Sequence, residues 1–354
     1  MSSHSNNSAS SATPLARWGQ LLHHYFLPIL MGVYVLAGVA PGPGSAIREY
    51  PISFLPGPEI HAPLAMVALL LFCAAVTIDW SQVGEVVNRP SLVLVALLAG
   101  WLAPAIVVAL LGTLLPAVFE HDASAGMLVG LAMVAAMPVA NSSAGWTQNS
   151  GGNVALCLAL IVLSIFLSPL ATPQMLKLMG LALQESDTAK IERLVTQFSG
   201  AKFIAWVIVP SALGGATAWL LGRERVVSLK PIIRLITLSD ILLLNYANAS
   251  LAARKAWTEE SWTALLSAVL IAAAVSVLGI VVAAALAKAF RLKRPTRAAL
   301  LYGLSMKHTG LALVLAGEVL AESPRVILVI MMATLLQHVV AAIVDWRMEH
   351  AEPD

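Results

Sequence analysis

Long apolar stretches divide this sequence. Ten of them cover about residues 24–40, 60–79, 91–117, 124–149, 152–178, 200–222, 232–253, 261–289, 297–320 and 324–346. A helix needs about 20 mostly apolar residues to cross a ~30 Å hydrocarbon core. Inside lipid the backbone must satisfy its own hydrogen bonds, so only helices or closed barrels can cross. The apolar/polar alternation of a lipid-facing barrel strand is absent. Composition agrees with helices in a membrane. Charged residues make up 11% of the chain and hydrophobic ones 59%, with mean hydropathy +0.84, whereas soluble domains carry about 25% charged residues. The expected fold is an all-α polytopic membrane protein.

Several function classes fall away at once. A net charge of +2 with scattered basic residues makes no nucleic-acid stripe. Cys73 and Cys157 both lie within apolar runs, which argues against a disulfide framework or a thiolate metal site. No motif requires a cofactor. The run Tyr25–Ala40 shares features with a signal-peptide core, but the segment before it carries a single basic residue, Arg17, and it reads as a first span.

The expected organisation is a polar, disordered tail over 1–23, a first five-helix repeat over 24–183, an amphipathic surface linker over 184–199, a second five-helix repeat over 200–346 and a short tail over 347–354. The linker carries Glu185, Asp187, Lys190, Glu192 and Arg193, with Ile191, Leu194 and Val195 on one side. Breakers separate the spans, among them Pro41-Gly42-Pro43-Gly44, Asn88-Arg89-Pro90, Arg294-Pro295 and Ser323-Pro324. Basic residues gather after span 6 (Arg223, Arg225, Lys230, Arg234) and after span 8 (Lys288, Arg291, Lys293, Arg294, Arg297). After span 7, Arg254 and Lys255 are offset by Glu259 and Glu260. If basic loops face the cytoplasm, both termini do too, and a bacterial inner membrane is the expected location. Two five-span halves of opposite orientation form an inverted repeat, a common transporter plan.

Two spans are interrupted. Span 4 contains Met137-Pro138-Val139-Ala140-Asn141-Ser142-Ser143-Ala144-Gly145-Trp146-Thr147-Gln148-Asn149, and span 9 contains Gly303-Leu304-Ser305-Met306-Lys307-His308-Thr309-Gly310. Proline removes a helical hydrogen bond. A lysine in mid-span costs several kcal/mol and must face protein or water. Corresponding broken spans in the two halves point to a transport site, so Asn141, Ser142, Ser143, Lys307, His308 and Thr309 are the candidates for binding substrate or ion.

These residues also carry a resemblance. Gly152-Asn153-Val154-Ala155-Leu156, continuing to Leu167-Ser168-Pro169-Leu170-Ala171-Thr172-Pro173, resembles the fifth span of the bile acid:sodium symporter family. Met306-Lys307-His308-Thr309-Gly310-Leu311-Ala312 is similar to that family's Met-Gln-Asn-Ser-Gly-Leu-Ala run on its ninth span, and Val209-Pro210 with Leu213-Gly214 matches a weaker pattern on its sixth. The resemblance implies a panel of spans 1, 2, 6 and 7 against a core of spans 3, 4, 5, 8, 9 and 10. It further implies broken helices 4 and 9 crossing in the core, two sodium sites at the crossing and an organic anion bound in the crevice.

Carried over position by position, the implied sodium ligands are eroded. The family's glutamate three residues before the motif's methionine (Met306) is Gly303 here, and the glutamine after that methionine is Lys307. The span 4 Ser-Asn pair is Ser143-Ala144, the span 5 serine and threonine are Cys157 and Ile161, and a span 3 glutamine falls on Ala99. Sodium is a hard cation that wants oxygen ligands. An ammonium ~4 Å from it is repelled by about 4 kcal/mol at an effective dielectric of 20. Lys307 is therefore expected to stand in place of a sodium ion, with a proton as the alternative coupling ion if Lys307 titrates.

Other residues have weaker claims. Asp240 and Asn245 sit inside span 7, and Asp240 is a candidate to couple or gate by pairing with Lys307 across the crevice. Cys157 and His338 are further candidates, His338 more as a packing and hydrogen-bonding group. His308 can bind a carboxylate, relay protons or act as a neutral core imidazole. Asp79 and Asp345, beside Trp80 and Trp346, read as interfacial anchors. Trp146 can stack on a substrate or fill the crossing. Gly126 and Gly130 read as close helix packing. The expectation is a secondary transporter of a small organic anion. The alternatives are a cation/proton antiporter, a non-transporting membrane sensor, and an intramembrane hydrolase using Ser142 or Ser143 with His308 or His338. The hydrolase has no nucleophile-elbow motif to support it.

Overall fold

The computed structural model describes residues 25–52, 60–78, 90–114, 126–183, 185–199, 203–251 and 262–350. Helices α1 (Phe26–Val39) and α2 (Pro41–Glu49) are followed by a two-residue hairpin pair, β1 (Pro51–Ile52) and β2 (Ile60–His61), then α3 (Ala62–Thr77) and α4 (Pro90–Leu114). Next come α5 (Met127–Ala136), α6 (Ser142–Asn149), α7 (Val154–Gly180) and α8 (Glu185–Ser199). A π-helical turn, Ile204–Ile208, leads into α9 (Val209–Ala249). The chain ends in α10 (Trp262–Ala289), α11 (Arg294–Ser305), α12 (Thr309–Val319) and α13 (Pro324–His350). The 1–23 tail, residues 351–354, Asp79, Trp80, Arg254, Lys255, Glu259 and Glu260 lie outside the described residues.

Prolines that break the sequence pattern turn out to start helices. Pro41, Pro63, Pro90, Pro295 and Pro324 all occupy the first turn of a helix, where the missing N–H would have no partner anyway. The Pro41–Gly44 run is thus a corner: α2 leaves α1 at 94° and continues as helix. The basic residues expected in a loop after span 6 are helical as well. Only Gly222 departs from helical geometry (φ 74°, ψ 162°), and Arg223, Arg225, Lys230 and Arg234 follow it within α9. At the other end, α13 runs on to His350, past the boundary expected at 346.

Among the described residues, five helices are long and apolar enough to cross a membrane, and the bent pair α1–α2 would make a sixth. The ten apolar segments give fewer qualifying helices for physical reasons. Two of the segments merge into Ile204–Ala249 across the Gly222 kink, while α3, α5 and α12 are apolar but shorter than 18 residues. Large apolar side chains such as Trp219, Leu220, Leu266 and Leu270 project outward. An outward apolar surface of this kind suits lipid and not water. The protein is an integral membrane protein with an all-α fold.

Helices α1, α2 and α3 pack on α9, α3 most extensively. The remaining long helices form a second group: α7 on α4 and α8, α10 on α11 and α13, α13 on α5 and α12. Glycine permits the closest approaches. A Cβ on Gly279 of α10 would collide with the backbone of Leu304 and Ser305, and one on Gly130 would lie 2.7 Å from the Val326 carbonyl oxygen. On α8, Ile191, Leu194 and Phe198 are buried, and Lys190 bridges Asp187 at 2.8 Å.

Candidate functional site

The two interrupted spans meet. The chain leaves α5 at Met137 and re-enters helix at Ser142; it leaves α11 at Met306 and re-enters at Thr309. Between these ends, Val139 and Lys307 pair as an isolated antiparallel bridge. Ala140 N–H donates to Met306 O (3.0 Å), and His308 N–H donates to Pro138 O (2.9 Å). Each break thus supplies the backbone partners that the other has lost.

Side chains from neighbouring helices complete the accounting, as buried backbone groups require. Ser164 Oγ on α7 accepts from Val139 N–H (3.0 Å), and Thr172 Oγ1 donates to Ala136 O (2.9 Å). Gln337 on α13 accepts from Lys307 N–H (3.0 Å) and donates to Thr309 Oγ1 (3.2 Å). His308 caps α12, its Nδ1 accepting from Leu311 N–H at 3.2 Å. Ser164 and Gln337 are not singled out by sequence reasoning, and Thr172 appears only within the span 5 run that carries the resemblance. Their signal is faint, since a Ser, Thr or Gln inside an apolar helix is common and only the fold says what it faces.

Lys307 is 3% exposed and its Nζ donates to the carbonyl oxygen of Gly100 on α4, at 2.6 Å. That carbonyl is available for a local reason. In a regular helix it would accept from the N–H of residue 104, but residue 104 is Pro104, which has none. The sequence carried this signal four residues apart in one span. Two helix N-termini, of α6 and α12, and two C-termini, of α5 and α11, converge on the crossing. The first pair carries partial positive charge and the second partial negative charge.

Three polar atoms in this region are buried with no hydrogen-bond partner among the described residues: Asn141 Oδ1, Ser305 Oγ and Trp101 Nε1. Asn141 precedes α6, Ser305 ends α11 and Trp101 follows Gly100, so all three flank the crossing in sequence. Ser142 begins α6 and is half-buried, while Ser143 and Thr309 are buried. Ser143 Oγ donates to Ala140 O (2.7 Å) and lies 3.3 Å from Cys157 Sγ. A Cβ at Gly303 would meet the Leu160 methyl at 3.1 Å, and Cys157, Leu160, Ile161 and Met306 are all fully or nearly fully buried. The ground where the resemblance implies sodium ligands is lined by thiol, methyl and thioether groups, beside an ammonium.

The remaining candidates sit elsewhere. Asp240 is buried on α9 near Thr237 and Cys73, and its Oδ2 has no partner among the described residues. The candidate pairing with Lys307 is not made: among the described residues the salt bridge present is Lys190–Asp187. Asn245 Oδ1 accepts from Tyr34 Oη (2.7 Å), which ties α1 to α9. His338 Nδ1 accepts from Trp146 Nε1 (3.5 Å), and its ring packs edge-on against Phe26. Trp146 also stacks on Tyr302, at 6.2 Å between ring centres. Asp345 is more than an interfacial anchor. It accepts from Ser150 Oγ, which also lies 2.6 Å from Tyr302 Oη, so one polar cluster links α6, α11 and α13. Of the pairs considered for a hydrolase, Ser143 with His308 is not made: the Ser143 hydroxyl donates to Ala140 O and His308 Nδ1 accepts from Leu311 N–H.

Two broken helices exchanging backbone hydrogen bonds inside an apolar helical bundle define a polytopic membrane protein with a built polar centre. Comparison with protein families places it more closely. The chain belongs to the SBF-like CPA transporter family (DUF4137), a bile acid:sodium symporter-like family whose profile matches residues 24–350. It is a membrane transporter by that membership. A search of curated proteins finds no significant match.

Proposed function

We propose that the protein is a secondary active transporter of a small organic anion, working by alternating access and uncoupled from sodium at the family's sites. In this reading the chain crosses a bacterial inner membrane ten times, as two inverted five-helix repeats with both termini in the cytoplasm. Broken pairs at α5–α6 and α11–α12, and the Gly222 kink that divides α9, support that count. The group of α1, α2, α3 and α9 would rock against the group holding the crossing.

One observation carries the proposal. The Lys307 ammonium sits at the crossing on a proline-freed carbonyl, and no acidic side chain pairs with it among the described residues. A protonated amine there repels a sodium ion and, with the N-termini of α6 and α12, favours an anion. Asn141 and Ser142 follow the Val139-Ala140 stretch that pairs with the span 9 break, and Thr309 is held by Gln337. The test is uptake of labelled mono- and dicarboxylates into proteoliposomes under a sodium gradient, a proton gradient or neither. Uptake indifferent to sodium and lost in Lys307→Ala is expected. Sodium-driven uptake that survives Lys307→Ala would refute the reading.

One observation favours a second reading, cation/proton exchange. Asp240 is a buried acid whose Oδ2 has no donor among the described residues, on the helix that packs against α12. Sodium- or potassium-dependent proton release from loaded vesicles, lost in Asp240→Asn, would favour it over anion uptake.

A further inference from the structure

Far from the crossing, at the C-terminal end of α12, six elements converge on a cavity of about 300 Å³. Its polar lining is Arg48 and Glu49 of α2, His61 of β2, Gln197 of α8, Asn248 of α9 and Glu318 of α12. Arg48 reaches across it: its Nη2 donates to the carbonyl oxygen of Gly317, 269 residues away in the chain. The carboxylates of Glu49 and Glu318 act on the same guanidinium electrostatically. Glu318 is held in place from the other side, its Oε2 accepting from Gln197 Nε2 at 2.8 Å. Gly317 makes room for the contact. A Cβ there would lie 3.2 Å from Asn248 Oδ1 and 3.6 Å from Arg48 Nε, so a larger side chain would crowd both.

The chemistry of this cavity decides what it can hold. Glu49, Glu318, the Gly317 carbonyl and Asn248 Oδ1 are all acceptors, and Asn248 Oδ1 is buried with no partner among the described residues. Two carboxylates make it a poor receptor for an organic anion. It suits a cation, and Arg48 is the permanent cation already there. The helices on either side belong to different packing groups: α2 packs with α3 and α9, while α12 packs chiefly on α13 and touches α9 and α3 across the seam between the groups. Any separation of the two groups at this end must pull Arg48 off Gly317.

We propose that Arg48 and the Gly317-Glu318 end of α12 form a hydrogen-bonded latch that closes this end of the seam between the two helix groups. The inference rests on the alternating-access reading, since a latch matters only if the groups separate. A charge-assisted hydrogen bond in a partly buried setting is among the stronger polar contacts. Its removal shifts the population toward the open seam.

The test uses accessibility and needs no substrate. Val314 lines the cavity and is 1% exposed. A Val314→Cys protein in vesicles of either orientation is labelled with a membrane-impermeant maleimide, with buried Cys73 and Cys157 as background. Adding Arg48→Gln is expected to raise labelling about tenfold from one side only, the shift that loss of such a bond gives. Glu318→Gln should raise it less, and Arg48→Lys should restore most of the protection. Unchanged labelling in Arg48→Gln, or an equal rise from both sides, would overturn the latch whatever transport assays report. Increased one-sided labelling in a protein that moves no carboxylate would uphold the latch and count against the transport reading.

Discussion

The crossing and the C-terminal part of α9 each bury an ionisable side chain, and they treat it in opposite ways. At the crossing Lys307 has its backbone N–H on Gln337 and its ammonium on the Gly100 carbonyl, which Pro104 leaves free. On α9, Asp240 has a carboxyl oxygen that no donor reaches among the described residues. A buried polar atom left unsatisfied costs about 1–3 kcal/mol, and more if charged. The difference separates an amine whose hydrogen-bond acceptor is in place from a carboxyl oxygen with no donor among the described residues. The first should be sensitive to every change; the second should matter for function while tolerating isosteric replacement.

The strongest way to break this contrast is Lys307→Met. Uptake should fall about a hundredfold, the scale of ~3 kcal/mol of lost charge interaction with an anion, as read in proteoliposomes. Retained uptake would show that the ammonium is only structural. Next is Gln337→Leu, which strands the Lys307 N–H and the Thr309 hydroxyl. Thermal or denaturant unfolding in detergent should register a loss of about 1–3 kcal/mol. Pro104→Ala is gentler and sharper. It returns an N–H that competes for the Gly100 carbonyl, so uptake should fall several-fold while unfolding stays level or improves. The smallest stability effect is expected at Asp240→Asn, which keeps the shape and removes the unpaired charge. Its unfolding free energy should stay within about 0.5 kcal/mol of the parent or rise, and a loss above 2 kcal/mol would mean that Asp240 has a structural partner.

The sequence made some of this plain and left the rest out of reach. Apolar length and low charge sufficed for an all-α membrane fold, because lipid offers the backbone no other partners. Pro138 and Lys307 stood out because each is costly in a span. The partners of those residues were hidden. Ser164, Thr172 and Gln337 earn their roles only by facing a break on another helix, and periodicity does not fix helix rotation. Gly100 was hidden differently: the donor-less Pro104 was visible, but a free carbonyl has no side chain to advertise it. Basic residues after span 6 misled, since Lys and Arg mark a membrane's edge without saying whether the chain there is loop or helix. At the other end of the molecule Asp345 looked like an anchor because its partners, Ser150 and Tyr302, are far away in the chain.

Sodium binding to the purified protein puts the role of Lys307 to the most direct trial. A ligand that binds only the folded state stabilises it by RT ln(1 + [L]/Kd), so a sodium site of ~1 mM Kd should add about 3 kcal/mol at ~150 mM. Thermal unfolding would be followed as sodium chloride replaces choline chloride at constant ionic strength. With the ammonium in the metal's place, the wild-type midpoint should not move. A saturable, sodium-specific rise in that midpoint would contradict the account.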